Sequence, residues 1–455
     1  MTTSSSQSPA AGRAAAKDKL ARLDQWIDAY AALYPFSGIV RLAKDDQLLY
    51  ERCVGLADRE WDIPVRPDTR FRLYSLTKPF TALAVMTLVD RGLVSLDAHP
   101  GRYVKEAEAA DPRVTVRLLL NHGSGLPDFR QSANKFLIEN SVPPRYDLMM
   151  GCLTELPLNF APGTGCYYCN LNFFLASRIV EEVAGRDFNE YLQHAVFDEL
   201  GMADAVVDAA GRLIPRRARG YGVDGLEIVR SEVTSIDWMR GSGNGVATAR
   251  DVYQLNRAIK GRWLVSESAW REILTPADSG FGLGMTISTW HGRRRYHHNG
   301  GHLGFRTLHV QLPEDDFDLI ILSNTGFGNA RGAFAEAAYQ IWYGEEAPDA
   351  VPEMDRGFAR NGEVRSDFLR PSRPAPVAEG AGKYAGHYAS TTATADLALD
   401  GAEGVLTMGG QRLPVYYAGE GRFQHKLIDE SYVFSESPSG EIAFMGLKKT
   451  DGASA

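Results

Sequence analysis

Apolar residues recur with two different periods along this chain, and the change between them predicts its organisation. Near the N-terminus, apolar positions on one helical face predict an amphipathic helix over Leu20–Leu33. The segments Gly38–Leu42 and Leu48–Val54 are separated by Lys44-Asp45-Asp46, and they predict two strands joined by a turn. The part that follows begins with the long apolar run Pro79–Val94 and is typical of a region rich in helices and loops.

Helical and strand-like patterns then follow one another up to residue 350. The helical period predicts further helices over Asn170–Ala184, Phe188–Leu200, Ala249–Ile259 and Ala333–Trp342. Strand-like segments are Gly282–Trp290, Thr307–Leu312 and Asp318–Leu322. A sheet whose strands come from both ends of the region, with a helical block between them, is an α+β arrangement. We expect the last helix to pack on that sheet.

The residue composition and the apolar pattern of the chain change after residue 350. Residues 351–378 carry prolines, charges and glycines and predict a linker. Short strand-like segments at near-regular spacing then predict a small antiparallel barrel or sandwich; they are Tyr384–Tyr388, Asp396–Leu399, Gly404–Met408, Leu413–Tyr417, Arg422–Leu427, Tyr432–Ser435 and Ile442–Lys448. The predicted domains are therefore a disordered N-terminus (1–17), a catalytic domain (18–350), the linker and a β-domain (379–451).

Composition and charge narrow the class of protein. The 455 residues suit two or three domains, and 44% hydrophobic with 23% charged residues is ordinary for a globular chain. A net charge of −8 argues against a nucleic-acid partner. We interpret the basic cluster Arg293-Arg294-Arg295 as a solvated hairpin tip. No signal-peptide pattern and no membrane-length apolar run is present, so we expect a cytoplasmic protein without membrane contact.

Ser75-Leu76-Thr77-Lys78, at the start of the apolar run, is the strongest chemical motif. A serine and a lysine three residues apart at a helix start lie on one face, so the lysine amine can take the serine proton. Burial of the helix disfavours the charged ammonium and favours the neutral amine that a base needs. A second copy, Ser132-Ala133-Asn134-Lys135, lies among polar residues without an apolar helix behind it. We place the nucleophile at Ser75 and treat Ser132 as a coincidence.

A second motif follows the turn Pro162-Gly163-Thr164-Gly165. In the extended stretch after it, Tyr168 and Asn170 stand at alternate positions, so both side chains point the same way. A phenol beside an amide suits proton transfer and hydrogen bonding to an acyl substrate. The alternative interpretation makes Tyr168 an ordinary core aromatic. The pair Cys166 and Cys169 lacks the further ligands of a zinc site, and we expect neither a metal nor a redox role.

The remaining candidate functional residues lie in two glycine-rich segments, in one histidine cluster and at His122. In His298-Asn299-Gly300-Gly301, the glycines permit the close backbone approach that an oxyanion site needs. With His291, His297 and His302 nearby a metal site is conceivable, but no carboxylate lies close in sequence and we expect none. We interpret His122, between a helix end and a glycine turn, as a structural hydrogen-bonder. Gly241–Thr248 lacks the lysine of a phosphate loop, and we interpret it as structural packing.

The order S-x-x-K, Y-x-N and H-x-G resembles that of the serine β-lactamase and penicillin-binding-protein superfamily. Within it, the chain looks most like the class C-related serine peptidases and esterases (peptidase family S12), and it is most similar to D-aminopeptidases. The boxes that carry the resemblance occur in the family's order between residues 35 and 345: SLTK, LLNHGSGL, the PGT and YCN boxes, LGM and HNGGHLGF. Ile236-Asp237-Trp238-Met239 adds to the likeness with D-aminopeptidases.

The resemblance implies a β-lactamase-like antiparallel sheet with a helical block, followed by a small all-β, lipocalin-like barrel. It implies Ser75 as nucleophile, Lys78 as base, Tyr168 as proton relay and His298 in the position of the K-T-G lysine. It also implies substrate contacts from Asn170, Asn299 and Gly300, an oxyanion hole from the N–H groups of Ser75 and Gly301, and no cofactor. The chain has room for one barrel where D-aminopeptidase has two. The missing lysine removes a carboxylate-binding charge, so β-lactam hydrolysis is not expected.

The function predicted from these motifs is hydrolysis of an amide or ester through an acyl-serine intermediate. The expected substrate is a small molecule or peptide that contains a D-amino acid. Alternatives left open are acyl transfer to an amine, as in peptide cyclisation or transpeptidation, and a carboxylesterase activity. A non-catalytic binding protein of the same fold is the third alternative, and self-association into a homo-oligomer is also left open.

Overall fold

Helices and strands follow one another irregularly, as the mixed pattern predicts. The computed structural model describes residues 9–231, 235–328, 330–344, 375–377, 379–390, 393–409, 411–427 and 430–450. The α-helices in these ranges are α1 (Pro9–Leu33), α2 (Lys78–Asp90), α3 (Val116–Leu120), α4 (Lys135–Asn140), α5 (Tyr146–Glu155), α6 (Asn170–Ala184), α7 (Phe188–Leu192), α8 (Ala249–Gly261), α9 (Glu267–Ile273) and α10 (Ala330–Tyr343).

The strands of the described residues form one six-stranded sheet, one barrel, one short three-stranded sheet and two short pairs. In chain order they are β1 (Gly38–Lys44), β2 (Gln47–Val54), β3 (Leu56–Asp58), β4 (Ile63–Pro64), β5 (Phe71–Arg72), β6 (Val206–Val207), β7 (Tyr221–Asp224), β8 (Glu227–Arg230), β9 (Gly245–Ala247), β10 (Thr286–Trp290), β11 (Arg293–His302), β12 (Phe305–Leu312), β13 (Phe317–Ser323), β14 (Gly386–Ala389), β15 (Thr394–Asp400), β16 (Glu403–Met408), β17 (Gln411–Tyr417), β18 (Arg422–His425), β19 (Ser431–Glu436), β20 (Ile442–Phe444) and β21 (Leu447–Thr450). The chain divides into two compact units, one of residues 37–220 and 231–324 and one of residues 1–36, 221–230 and 325–455.

The first unit contains a six-stranded antiparallel sheet with the order β10-β11-β12-β13-β1-β2. Its strands come from both ends of the unit, because β1 pairs with β13 from Gly38 opposite Ser323 to Lys44 opposite Phe317. All seven residues of β13 are buried, which explains the apolar run Leu319–Leu322 at its centre. The predicted α+β sheet is therefore confirmed.

A helical core built around α2 completes this unit. Residues 78–88 of α2 are all buried, and the helix packs against α6. Pro79 stands in the first turn, where its missing N–H costs no hydrogen bond. A helix that is apolar on every side is stable only inside such a core. The apolar run after Ser75 therefore fixes α2 as the central helix of the unit.

The second unit contains α1, α10 and the barrel. The Phe334 ring of α10 lies 5.3 Å from that of Trp26 and 4.9 Å from that of Tyr30, both on α1. Strands β14 to β21 form a closed antiparallel barrel, which leaves no unpaired strand edge. Its interior is a packed aromatic core in which the rings of Phe434 and Phe444 stack at 4.5 Å. The predicted small all-β barrel is confirmed.

Several predicted boundaries are wrong, each for a local reason. The first helix begins at Pro9, so residues 9–17 are helical where we predicted disorder; this stretch is rich in alanine, the strongest helix former. The helix predicted over Phe188–Leu200 ends at Leu192 and continues as a π-helical segment, Gln193–Asp198. The last predicted strand is a hairpin, β20 and β21, because Met445 and Gly446 adopt positive φ angles. The barrel therefore has eight strands and not seven.

Two further expectations concern the hairpin of β10 and β11 and the chain after α10. The strand predicted from Gly282 begins at Thr286, and β11 begins at Arg293. The basic cluster is a solvated tip only in part, because Arg294 is exposed whereas Arg295 is buried and its guanidinium donates to Ser288 Oγ at 3.1 and 3.0 Å. Almost all of the predicted linker 351–378, and residues 1–8, lie outside the described residues. Within the described ranges, no helix is both long and apolar enough to cross a bilayer.

Candidate active site

Ser75 lies in a tight turn that leads directly into α2. The turn is a 3₁₀ segment, Tyr74–Thr77, in which Ser75 is half-buried and its neighbours are buried. Tyr74 adopts a φ of 47°, a left-handed conformation that is rare for a residue with a side chain. The turn is tied to β9 by the N–H of Leu73, which donates to the Gly245 carbonyl at 2.8 Å. This arrangement presents the Ser75 hydroxyl at a fixed, partly open position.

Lys78, the first residue of α2, is fully buried beneath Ser75. Its Nζ atom lies 3.2 Å from Ser75 Oγ, 2.8 Å from Asn170 Oδ1 and 2.9 Å from the Ser242 carbonyl oxygen. Burial lowers the pKa of Lys78 to about 7, although the nearby charge of Asp128 opposes this shift. A substantial fraction of the side chain is therefore a neutral amine near neutral pH, in contact with the serine hydroxyl.

The glycine-rich turn Gly241–Thr248 contributes to this environment. Besides the Ser242 carbonyl that contacts Lys78, the Gly241 carbonyl accepts a hydrogen bond from Thr81 of α2 at 2.7 Å. Gly241 has a φ of 70°, and a Cβ there would lie 2.7 Å from Ser177 Cβ. Our interpretation of the segment as structural packing is therefore incomplete, because its backbone also holds the Lys78 amine.

Tyr168 and Asn170 converge on Lys78 from the loop before α6. Asn170 is the first residue of α6 and is buried. The Lys78 Nζ lies 4.8 Å from the centroid of the Tyr168 ring. The Tyr168 hydroxyl oxygen is shielded from solvent and has no hydrogen-bond partner among the described residues. Burial raises the pKa of Tyr168, and the neighbouring Ser75 side chain lowers it by less, so the phenol is protonated near neutral pH.

His122 lies directly against the Tyr168 ring, with ring centroids 4.4 Å apart. Its Nδ1 accepts the backbone N–H of Cys169 at 3.2 Å, which leaves the ring proton on Nε2. Burial, with the charges of Lys78 and His298, holds the pKa of His122 well below its usual value, so the ring is neutral. The interpretation of His122 as a hydrogen-bonder is confirmed. Its stacking on Tyr168 was not evident from the sequence.

Strand β11 brings the H-x-G segment to the same place. The strand packs beside the turn that carries Ser75, and the His298 ring centroid lies 6.3 Å from that of Tyr168. The His298 Nδ1 lies 2.7 Å from the Asn299 carbonyl oxygen, which only accepts, so Nδ1 carries a proton. A Cβ on Gly300 would collide with the Leu73 carbonyl oxygen, whereas Gly301 is exposed. Only glycine at 300 lets the strand come this close.

The remaining candidates lie outside this constellation. Ser132 Oγ accepts the backbone N–H of Asn134 at 3.1 Å, and Lys135 is exposed, so this second S-x-x-K has no buried amine. Of the candidate cysteine pair, Cys166 is exposed and Cys169 is buried. Within the part of the chain that the structure describes, no group of histidine, cysteine and carboxylate side chains is arranged to hold a metal ion.

Comparison with known proteins identifies the family. The profile of the family described as Beta-lactamase matches residues 23–341, well over half of the chain. The chain belongs to the beta-lactamase family. This family region contains Ser75, Lys78, Tyr168, Asn170 and the H-x-G strand.

Three curated relatives support the assignment at modest identity. Penicillin-binding protein 4* of Bacillus subtilis (strain 168) is 25% identical over 451 residues, 94% of either chain. Esterase EstB of Burkholderia gladioli is 36% identical over 216 residues, which are 44% of this chain and 55% of the esterase. A D-aminopeptidase of Gluconobacter oxydans (strain 621H) is 29% identical over 313 residues, 67% of this chain and 59% of the relative. The chain thus spans little more than half the length of the last two.

A solved structure agrees with the fold. The octameric penicillin-binding protein homologue from Pyrococcus abyssi superposes with a TM-score of 0.62 at 20% identity, over 94% of this chain and 99% of that one. The predicted membership of the serine β-lactamase and penicillin-binding-protein superfamily, with likeness to D-aminopeptidases, is confirmed. The protein is a serine hydrolase of this superfamily.

One buried residue of the site was missed in the sequence. Asp128 ends the SGLPD turn and accepts the backbone N–H of Asn170 on Oδ2 at 2.5 Å. A carboxylate directly after a glycine-proline turn is a sequence signal for a helix or turn cap, and Asp128 indeed caps the 3₁₀ turn Phe129–Gln131. Its second role, at the start of α6, depends on a contact across 42 residues.

Proposed function

We propose that the protein hydrolyses an amide or ester through an acyl-enzyme on Ser75, and that its substrates are peptides or amino-acid amides of D-configuration. The observation that carries the chemistry is the contact between the buried Lys78 amine and Ser75 Oγ at 3.2 Å. A neutral amine at this distance can accept the serine proton without a histidine. The D-configuration is supported by the likeness to D-aminopeptidase.

In the proposed acylation, the Ser75 proton passes to Lys78 Nζ as Oγ attacks the carbonyl carbon. The N–H groups of Ser75 and Gly301 stabilise the oxyanion. The proton then returns by way of Tyr168 to the leaving amine or alcohol, and the carbonyl bond to that group breaks. In deacylation, water attacks the acyl carbonyl carbon and loses a proton to the same pair; the bond from that carbon to Ser75 Oγ then breaks, Oγ takes this proton, and the acid leaves. The substrate is hydrogen-bonded by Asn170, Asn299 and Gly300. His298 lies at the edge of the substrate site, in the position where the superfamily carries a lysine.

Two alternatives within the same chemistry remain. A carboxylesterase is favoured by the likeness to Esterase EstB, the most identical of the three relatives described. Acyl transfer differs only in the acceptor, because an amine then takes the acyl group in place of water. A product assay on one substrate, with and without an added D-amino-acid amine, separates hydrolysis from transfer. A homo-oligomer, suggested by the octameric neighbour, and a cytoplasmic location stay predictions.

The test is covalent labelling combined with two alanine variants. Incubation with a fluorophosphonate should add one adduct per chain, and peptide mapping should place it on Ser75. Ser75→Ala should abolish labelling and the turnover of a p-nitrophenyl ester, whereas Ser132→Ala should leave both nearly intact. Labelling at Ser132, or an active Ser75→Ala variant, would overturn the proposal.

A further inference from the structure

Asp128 is a buried carboxylate joined to the Lys78 amine through a single residue. Its side chain is fully buried. Asp128 Oδ2 accepts the Asn170 backbone N–H at 2.5 Å, and Asn170 Oδ1 accepts from Lys78 Nζ at 2.8 Å. The carboxylate therefore fixes the first residue of α6, whose side chain holds the amine.

The other oxygen of this carboxylate is bound to Arg130. Asp128 Oδ1 accepts the Arg130 backbone N–H at 3.0 Å and its Nε–H at 2.7 Å. The Arg130 side chain is 44% exposed, whereas that of Asp128 is inaccessible. The negative charge is thus buried, and the positive charge that pairs with it is partly exposed to solvent.

The two charges act on Lys78 in opposite directions. The Asp128 carboxylate raises the pKa of Lys78 and the Arg130 guanidinium lowers it, while burial supplies the largest, lowering effect. The other titratable groups that face the amine are the Cys169 thiol, whose pKa is raised by burial, the protonated phenol of Tyr168 and the neutral ring of His122. In this ring of neutral groups, Asp128 and Arg130 are the fixed charges that bear on Lys78.

We propose that Asp128 and Arg130 are positioning residues for the catalytic amine: Asp128 holds Asn170 against Lys78, and the pair sets the pH above which the amine can accept the Ser75 proton. The proposal rests on the proposed role of Lys78 as base. In this proposal neither Asp128 nor Arg130 contacts the reacting atoms. A buried charge pair can set a proton equilibrium in this way because a low-dielectric interior weakens its field less than water does.

The experiment compares pH profiles of kcat/KM on a p-nitrophenyl ester for Asp128→Asn, Arg130→Gln and the double variant. Asp128→Asn removes a charge that stabilises the ammonium, so the acid limb should move down by about one pH unit. Arg130→Gln removes a charge that opposes it, so the limb should move up. The double variant should lie between the two. Loss of the Asn170 contact should also lower kcat of Asp128→Asn about tenfold, since small misplacements of catalytic groups are costly.

An exposed pair with the same two-residue spacing is the matched control. Arg145 Nε donates to Asp147 Oδ1 at 2.8 Å, and both side chains are largely exposed. Asp147→Asn and Arg145→Gln should leave the acid limb unchanged, because these charges are solvated. If Asp128→Asn does not fold, the upward shift of the acid limb in Arg130→Gln, a change on a partly exposed side chain, still tests the inference.

Three outcomes would overturn the inference. Acid limbs that stay in place, or that move in the same direction in Asp128→Asn and Arg130→Gln, contradict it, and so does a control pair that shifts as much. These results are distinguishable from failure of the proposed function. If the proposed function is wrong, Ser75→Ala keeps its turnover. If only this inference is wrong, Ser75→Ala is inactive, but the acid limbs of the Asp128 and Arg130 variants do not move in opposite directions.

Discussion

Lys78 Nζ lies 3.2 Å from Ser75 Oγ and 2.8 Å from Asn170 Oδ1, so one buried amine joins the start of α2 to the start of α6. The third contact of the amine is a backbone carbonyl, that of Ser242. Two fixed acceptors, Asn170 Oδ1 and the Ser242 carbonyl oxygen, orient the amine beside the serine, and burial lowers the pKa of Lys78 to about 7. The position of the Lys78 amine and its proton affinity are therefore both determined by the packing around it.

The pH dependence of turnover follows from the state of Lys78. Below about pH 7 the amine is protonated and cannot take the Ser75 proton, so kcat/KM should fall tenfold for each pH unit below that value and level off above it. Lys78→Arg, which cannot lose its proton, should reduce turnover at least 10²-fold. Initial rates between pH 5 and 9, corrected for spontaneous ester hydrolysis, measure this. A profile that is flat across this range would contradict Lys78 as the base.

Tyr168→Phe should damage catalysis and spare the fold. The Tyr168 hydroxyl has no hydrogen-bond partner in the described part of the chain, so its removal should not lower the melting temperature. If it relays a proton, turnover should fall by about 10²–10⁴-fold. Tyr167→Phe is the control, because the extended backbone points that side chain away from Asn170's side. Retention of more than about a tenth of wild-type turnover in Tyr168→Phe would exclude the relay.

Gly300→Ala should disrupt the site through its backbone. The added Cβ would overlap the Leu73 carbonyl oxygen and lie 2.5 Å from Thr307 Oγ1, so β11 must move away from the Ser75 turn. We expect a loss of about 1–3 kcal/mol in unfolding free energy and at least 10²-fold in turnover.

The matched control is Gly301→Ala. There the nearest atoms belong to the Arg306 side chain at 3.1 and 3.2 Å and can move, so the fold should be kept. Thermal melting and ester turnover of both variants are the measurements. Equal effects at the two glycines would show that close approach at Gly300 is not what the site requires.

Asp318→Asn should stabilise the protein at slightly alkaline pH. Asp318 is buried beneath α8 with one carboxylate oxygen unpartnered among the described residues, and burial raises its pKa to about 8. In the unfolded chain the group loses its proton near pH 3.8. Between these values the folded state binds the extra proton, so stability falls as pH rises towards 8. The variant should remove that part of the decline.

At pH 8 we expect the melting temperature of Asp318→Asn to exceed that of wild type by about 3 °C. Asp111→Asn is the control, because Asp111 is paired with Arg113 at the surface and its pKa is lowered, so it should not be stabilised. Melting curves at pH 5 and 8 test both. A variant that melts lower than wild type at pH 8 would mean that the carboxylate is needed in its charged form.

Deletion of residues 379–455 should leave ester turnover largely intact and alter substrate preference. All residues proposed for the chemistry precede His302. The barrel closes its own strands and has its own aromatic core, so its fold depends on contacts within it. Turnover of a small activated ester and of a panel of D-amino-acid amides, by the full chain and the truncated chain, measures the effect. Loss of the small-ester activity in a folded truncated protein would contradict this division of roles.

The sequence by itself determined the features that depend on local geometry. The spacing of Ser75 and Lys78 places both on one helical face, and the apolar run after them fixes the buried helix that carries them. Alternation in the extended stretch puts Tyr168 and Asn170 on one side. Five of the six strands of the sheet and most strands of the barrel were predicted for the same reason, because apolar periods record burial residue by residue, whereas β11 has almost no apolar residues and was not predicted. The start of α1 at Pro9 and the turn between β20 and β21 were not predicted, because a few residues determine where an element begins or ends.

Only the tertiary structure decided what surrounds the amine. Asn170 reaches Lys78 across 92 residues and the Ser242 carbonyl across 164, and a carbonyl has no side-chain signature that a sequence could reveal. The hydrogen bond from the Asn170 N–H to Asp128 also depends on where α6 begins in the folded protein. A pKa depends on the burial and charges brought together by folding, so the lowered value of Lys78 is a property of the packed interior and not of the S-x-x-K motif.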